Sequence, residues 1–164
     1  MIRWLKTKLF ERLGLVAGAM NKNDRASALH RAWGHVFTNH LSGDYVEFGV
    51  YHGASFIYSY KQRCQFRNWL NGQLSSPEAW RREVAQSYIN IESKFHGLDT
   101  FGGMPKNNEE NASFAQGTFV ADYQDVFNKC LASGMPERSF KLYKGLFADS
   151  ALECKKIFHL KWRL

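Results

Sequence analysis

Apolar and polar positions alternate along this chain in two rhythms. Leu29, Trp33, Val36, Phe37 and Leu41 recur at helical spacing, which predicts a helix over about residues 25–41 with Asn23 or Asp24 as its cap. Tyr45-Val46-Glu47-Phe48 is a short run suited to a buried strand. The helical rhythm returns from Ala54 to about Leu70, with Phe56, Ile57 and Tyr60 early in it, and Asn71-Gly72 ends it. Ser76-Pro77-Glu78 is a helix-start signal with Ser76 as cap. It opens a charged helix over about 78–90 whose apolar face is Trp80, Val84 and Ile91. Residues 94–101 predict a second strand that carries an acid, Asp99, near its end.

Further on, residues 122–133 predict a helix with Val126, Phe127 and Leu131 facing in, stopped by Ser133-Gly134-Met135-Pro136. Phe140-Lys141-Leu142-Tyr143 alternates as a third strand, and 144–150 is the loop beyond it. A helical turn over 151–156 and a fourth strand over 157–160 complete the prediction. Strands alternating with helices imply an α/β fold: a Rossmann-like, partly parallel sheet with right-handed crossovers and helices on both faces. Residues 106–115, rich in Asn and Glu, are expected to form a mobile surface loop beside a ligand pocket.

The first 22 residues follow their own pattern. Ile2, Leu5, Leu9 and Leu13 form a stripe, with Lys6, Lys8 and Arg12 mostly off it. This is an amphipathic helix that covers the domain or docks on a partner; the alternative is a helix lying on a membrane surface. The expected organisation is an N-terminal helix and linker over 1–22 and one domain over 23–164, with a helical insertion at about 71–93.

Composition narrows the function classes. A chain of 164 residues suffices for one domain with a real core. The net charge of +7 favours anionic partners, although the basic residues are spread along the chain as on an ordinary solvated surface. No RNP-type, zinc-finger or helix-turn-helix signature is present, so nucleic acid is not an expected partner. Nor does any stretch reach the roughly twenty apolar residues of a membrane span. Cys64, Cys130 and Cys154 are far apart, without zinc-type spacing, and fit free thiols in a reducing, cytoplasmic setting. His30, His35 and His40 are five apart, which spreads them around a helix, so no metal site is expected there.

The chemistry concentrates between Gly43 and Ser55. A strand that runs into a glycine turn and then a helix aims backbone N–H groups at a ligand. Gly49 and Gly53 remove side chains where a ligand must approach the backbone. Glu47 stands at the carboxyl end of the strand, where open α/β sheets bind their ligands. The spacing Glu-x-Gly-x-x-x-Gly-x-Ser departs from the dinucleotide fingerprint, and a purely structural turn is the competing reading.

Three blocks together carry a family resemblance. Val46-Glu47-Phe48-Gly49-Val50-Tyr51-His52-Gly53-Ala54-Ser55 resembles the first motif of the TylF-type macrocin O-methyltransferases, which belong to the class I S-adenosylmethionine-dependent enzymes. Gly97-Leu98-Asp99-Thr100-Phe101-Gly102-Gly103-Met104-Pro105 is similar to their second motif. Gly117-Thr118-Phe119, followed by Val126, Gly134 and Lys144-Gly145-x-Phe147-x-Asp149-Ser150, is similar to their third. The resemblance spans about residues 25–160.

It implies a cofactor, S-adenosylmethionine, across the strand ends. Glu47, Gly49 and Gly53 would line its methionine and ribose side, with Val50, Tyr51 and Ser55 as further cofactor-binding residues; for Ser55 a helix-start cap is the competing role. Asp99 would accept hydrogen bonds from the ribose hydroxyls, with a turn cap as its alternative role. Thr100 and Phe101 would contact the ribose or adenine, and Gly145 and Phe147 would lie near the adenine. The implied acceptor is a hydroxyl on a small molecule such as a sugar.

Two departures stand out. Fifty residues separate Gly49 from Asp99, which the insertion must absorb. Family members also use acids on the fourth strand to bind Mg²⁺, and here Lys161 and Arg163 fall in that place; cations repel a metal ion. The expectation is a C-terminally truncated methyltransferase fold with no identified catalytic or metal-binding residue. The alternative is a non-catalytic cofactor-binding or interaction module, self-associating through an exposed sheet edge.

Overall fold

The computed structural model describes residues 25–107 and 112–158. Their elements run α1 (Arg25–Thr38), β1 (Tyr45–Phe48), α2 (Ala54–Gln73), α3 (Ala79–Tyr88), β2 (Phe95–Asp99), a 3-10 turn (Ala112–Phe114), α4 (Tyr123–Ala132), a second 3-10 turn (Glu137–Ser139), β3 (Phe140–Lys144) and α5 (Phe147–Phe158). The expected cap at Asn23 or Asp24 and the amphipathic stripe at 2–13 lie outside the described residues. So do 108–111 of the expected polar loop, and 159–164. The chain divides into two compact units. The first holds residues up to Ser42 and Tyr58–Ile91; the second holds Gly43–Ile57 and the residues from Glu92 onward. No helix among the described residues is long and apolar enough to cross a membrane.

The second unit is a Rossmann-like α/β layer. Three strands pair in parallel in the order β1-β2-β3. Every residue of the central strand is buried, as a parallel sheet covered on both faces requires. Alternation sends Phe95 and Gly97 to one face and His96 and Leu98 to the other. On the first face Phe56, from the first turn of α2, packs edge-on against Phe95 at 6.0 Å. Phe127 of α4 packs on Phe140 at 5.3 Å. On the other face Ala151 and Cys154 of α5 close over Leu98 and Tyr143.

The other unit is helical. Trp33 and Phe37 of α1 are buried with Leu70, Ala85, Tyr88 and Ile89. The Trp33 indole N–H donates to Ser59 Oγ at 2.7 Å. Phe37 stacks on Phe66 at 5.3 Å and meets the edge of Tyr88 at 5.1 Å. Arg63 donates to the Ile91 carbonyl at 2.8 Å, and the Tyr88 hydroxyl donates to the Leu41 carbonyl. These bonds satisfy polar groups that burial would otherwise penalise.

Several expectations need correction. Residues Phe147–Phe158 form one helix, so Ile157 and Phe158 do not begin a fourth strand, and 147–150 are not loop. The Leu146 carbonyl accepts from Asp149 N (3.0 Å) and Ser150 N (2.9 Å), which winds the chain at once. Ala151 and Cys154 then sit three apart toward the sheet. In α3, Trp80 is 61% exposed and the buried positions are Ala85 and Tyr88. The helix begins after Glu78, and Ser76 Oγ accepts from Glu78 N at 3.3 Å, ahead of the helix. In α4, Leu131 is exposed, and Cys130 takes the inward place beside Val126. Leu41 is also exposed.

A polar chain lies under α5. His96 is 2% exposed. Its Nδ1 is 2.9 Å from the Tyr143 hydroxyl, and its Nε2 is 3.5 Å from Asp44 Oδ2. Burial lowers the His96 pKa, with Lys94 and Lys141 adding to the effect and Asp44 opposing it. Burial also raises the pKa of Tyr143 and Cys154, which stay protonated. The folded chain therefore binds fewer protons at His96 than the unfolded chain does. The stability this neutral ring contributes is full above the unfolded value, about 6.5, and is lost as pH falls through the lower folded one. The urea midpoint should fall between about pH 7.5 and about pH 5, and His96→Gln should flatten that change. An unflattened change would show that His96 is not its source.

Candidate functional site

At the carboxyl edge of the sheet the three strands end side by side. Gly49 N donates to the Leu98 carbonyl (2.8 Å) and Gly145 N to the Asp99 carbonyl (3.0 Å), which carries the ladder one residue past β1 and β3. Asp99 stands between them, 8% exposed. Its Oδ2 accepts the Tyr51 N–H and its Oδ1 the Phe101 N–H, each at 2.7 Å. The carboxylate thus ties the turn after β1 to the turn after β2. Each oxygen keeps a further lone pair.

The N–H groups of Gly49, Tyr51 and Gly53 go to Leu98 O, Asp99 Oδ2 and Val50 O. They do not aim at a ligand, because a carboxylate and two carbonyls within the unit take them first. What the glycines supply is room. A Cβ at Gly49 (φ +81°) or Gly145 (φ +152°) would meet nothing within 4 Å. Gly53 differs, because a Cβ there would lie 3.1 Å from Val126 Cγ1, so its bareness serves packing.

Glu47 and Ser55 come together across the turn. Glu47 Oε1 accepts from Ser55 Oγ at 2.6 Å, and Oε2 accepts from the Tyr45 hydroxyl at 2.5 Å. The half-buried carboxylate is fixed by both bonds, an acceptor for a cationic donor. Cys130 lies behind it; burial first, and then the Glu47 charge, push its thiol up to about 11, so it stays protonated and unreactive.

The remaining sequence candidates point elsewhere. Val50 is buried at 2% exposure beneath Gly97. The Phe101 ring is buried against Tyr123, centroids 5.2 Å apart. Thr100 donates to the Gly103 carbonyl at 2.6 Å and holds the second turn. Phe147 opens α5 and meets Phe48 edge-on at 5.3 Å. So Glu47, Gly49, Ser55, Asp99 and Gly145 share the strand-end edge. Val50, Gly53 and Phe101 build the core under it, and Phe147 flanks it on the α5 face.

Two features escaped the sequence. Tyr45 is the second partner of Glu47. Phe119 meets Tyr51 edge-on at 5.7 Å. Tyr51, Phe101 and Phe119 all have positive φ (51°, 54° and 62°), a region that costs bulky residues about 1 kcal/mol or more each. The i, i+2 spacing of Tyr45 and Glu47 was a usable signal. No local signal marks an aromatic residue for the left-handed region.

The edge suits a ligand with a vicinal diol: two carboxylate oxygens with spare acceptor capacity, between two glycines with open space above them. A divalent cation finds no group of three His, Cys, Asp or Glu ligands among the described residues. No protein-family model and no curated protein sequence matches the chain. Among solved structures it is similar to the O-methyltransferase NovP, with a TM-score of 0.52 and 16% identity over 76% of this chain and 46% of that one. The chain thus spans less than half of that protein's length, and what the likeness establishes is the methyltransferase-like fold.

Proposed function

We propose that this chain binds S-adenosylmethionine at the carboxyl edge of its sheet and forms the donor-binding part of a TylF-type O-methyltransferase. Its acceptor would be a hydroxyl on a small molecule, a class that includes sugars. The observation that carries this is the Asp99 carboxylate held between Gly49 and Gly145 by two backbone N–H groups. The methyltransferase-like fold supports the reaction class, and the three unbridged cysteines suit a reducing compartment such as the cytoplasm.

The residues divide the work by chemistry. Asp99 accepts the ribose hydroxyls through its spare lone pairs. Glu47, steadied by Ser55 and Tyr45, accepts the cofactor's α-amino group. Gly49 and Gly145 leave space for the ribose and adenine to lie on the strand ends. The cofactor supplies an activated methyl group, and alignment is what these residues contribute.

Thermal denaturation with S-adenosylhomocysteine, adenosine and NAD tests this. A ligand at a hundred times its Kd stabilises by about 2.7 kcal/mol, which is roughly 5–10 °C for a chain of this size. S-adenosylhomocysteine should give the largest shift. A larger shift with NAD would reverse the assignment.

A cofactor-binding interaction module is a second reading. β1 lies at an edge of the described sheet, with Val46 39% and Phe48 55% exposed. Light scattering separates the two: a dimer that Val46→Lys dissociates favours the module, and a monomer with bound cofactor disfavours it.

A further inference from the structure

We propose that the aromatic rim of Tyr51, Phe114 and Phe119 is the acceptor subsite, and that it takes a small molecule carrying an aryl ring beside its hydroxyl. This rests on reading the strand edge as a methyl-donor site. The Tyr51 N–H donates to Asp99 Oδ2 at 2.7 Å, so the residue that carries the first ring is tied through its backbone to that edge. Phe119 meets Tyr51 edge-on at 5.7 Å, and Phe114 meets Phe119 at 5.9 Å. The three rings are 40%, 45% and 44% exposed in chain order. Rings gathered together yet open to water form a binding surface.

The backbone reinforces this. Tyr51 and Phe119 sit at φ +51° and +62°, where glycine would be the easier residue. Strain of this kind at bulky residues marks positions held for what they contact. The rim is also fastened. Gly102 bridges Val120, Met104 N donates to Thr118 O at 2.7 Å, and Ala121 N donates to Phe101 O at 3.2 Å.

Its chemistry favours an aryl ring over a sugar. Three rings offer faces and edges for offset or edge-on stacking. The His52 ring packs on Tyr51, centroids 3.9 Å apart, and adds a further flat face to the rim; three other polar side chains of these turns are bonded to the backbone. The Thr118 hydroxyl donates to Ala115 O, the Thr100 hydroxyl donates to Gly103 O, and Asp122 accepts from Asp125 N. A sugar would need several such groups for its hydroxyls, and beside the rings the His52 imidazole is one polar group against three aromatic faces. The other exposed aromatic pair, Phe48 and Phe147, flanks the opposite face, beside Leu98 in the register. Donor base and acceptor ring can therefore occupy separate rims.

The test is calorimetry with 2-naphthol and with methyl glucoside, each with and without S-adenosylhomocysteine. The proteins are the native chain, Phe114→Ala and Phe119→Gly; glycine suits the backbone at 119, so that variant keeps the fold. 2-Naphthol should bind the native chain, and each variant should bind it about tenfold or more weakly. S-adenosylhomocysteine affinity should stay within about twofold, and methyl glucoside should show no rim-dependent binding. The proposal is overturned if 2-naphthol does not bind, if neither variant weakens it, or if the variants lose S-adenosylhomocysteine instead. Failure of S-adenosylhomocysteine to bind the native chain overturns the donor site separately. The naphthol titrations without it then still decide whether the rim binds aryl rings.

Discussion

Alanine at position 99 is expected to weaken S-adenosylhomocysteine binding by roughly a hundredfold or more and to destabilise the unliganded chain. Two hydroxyl-to-carboxylate bonds are lost, and each 1.4 kcal/mol is about tenfold in affinity. The Tyr51 and Phe101 N–H groups also lose their acceptor. Hydrogen bonds to a charged group contribute about 1.5–3 kcal/mol each, so a stability loss of about 3–6 kcal/mol follows for the two, the lower figures applying where water replaces the carboxylate. Asp99→Asn keeps the shape and one acceptor oxygen but turns an amide donor toward the other N–H. It should fall between native and alanine in stability and bind at least about tenfold more weakly than native. Destabilisation with unchanged affinity would mean that Asp99 is a turn cap and nothing more.

The second large effect is on the core. Gly97→Val should lower stability by about 3 kcal/mol, at the upper end for overpacking a well-filled core. A Cβ at position 97 would lie 2.7 Å from Val50 Cγ2, 2.8 Å from Leu142 Cδ2 and 3.3 Å from Phe56 Cε2. The Leu142 methyl can swing aside. Val50 is a short branched side chain in the turn after β1, and its retreat would displace the backbone that Asp99 holds. A β-branched residue gains up to about 1 kcal/mol of strand preference over glycine, which does not offset three close contacts. At about 2–4 °C per kcal/mol for a chain of this size, Tm should drop by about 6–12 °C. Gly97→Ala should cost less, about 1–2 kcal/mol. An unchanged Tm for the valine variant would mean that the sheet face is looser than these distances imply.

Strand β1 was legible because Tyr45–Phe48 is short, apolar-rich and followed by glycine, and β2 because an acid closes a buried run. The parallel order followed from the helices between strands. α5 was misread at both ends. Lys144-Gly145-Leu146 looks like the start of a long loop, yet Gly145 makes the turn in one residue and Leu146 already starts the helix. Ile157-Phe158 looks like a strand, because the inward residues before it are small: Ala151 and Cys154 carry too little apolar weight to announce a helical stripe. Depth was harder to read than side. Trp80 and Leu131 have helical spacing but are exposed, while Ala85 and Cys130 are fully buried, since close packing against neighbouring elements rewards fit as well as hydrophobicity.

For the site, Glu47, Asp99 and the glycines could be placed because strand ends are where such groups gather. The competition for backbone N–H groups could not. Whether the Tyr51 N–H faces a ligand or the Asp99 carboxylate depends on a contact 48 residues apart in sequence. The partnership of Tyr51 with Phe119 is of the same kind. It depends on two left-handed residues and on the pairing of Gly102 with Val120.

The most direct test of the donor site is isothermal titration of S-adenosylhomocysteine into the native chain, repeated with Asp99→Asn. The expected result is saturable one-to-one binding to the native protein that the asparagine variant weakens by about tenfold or more. No heat at millimolar ligand with the native chain, or equal affinity for both proteins, would contradict it.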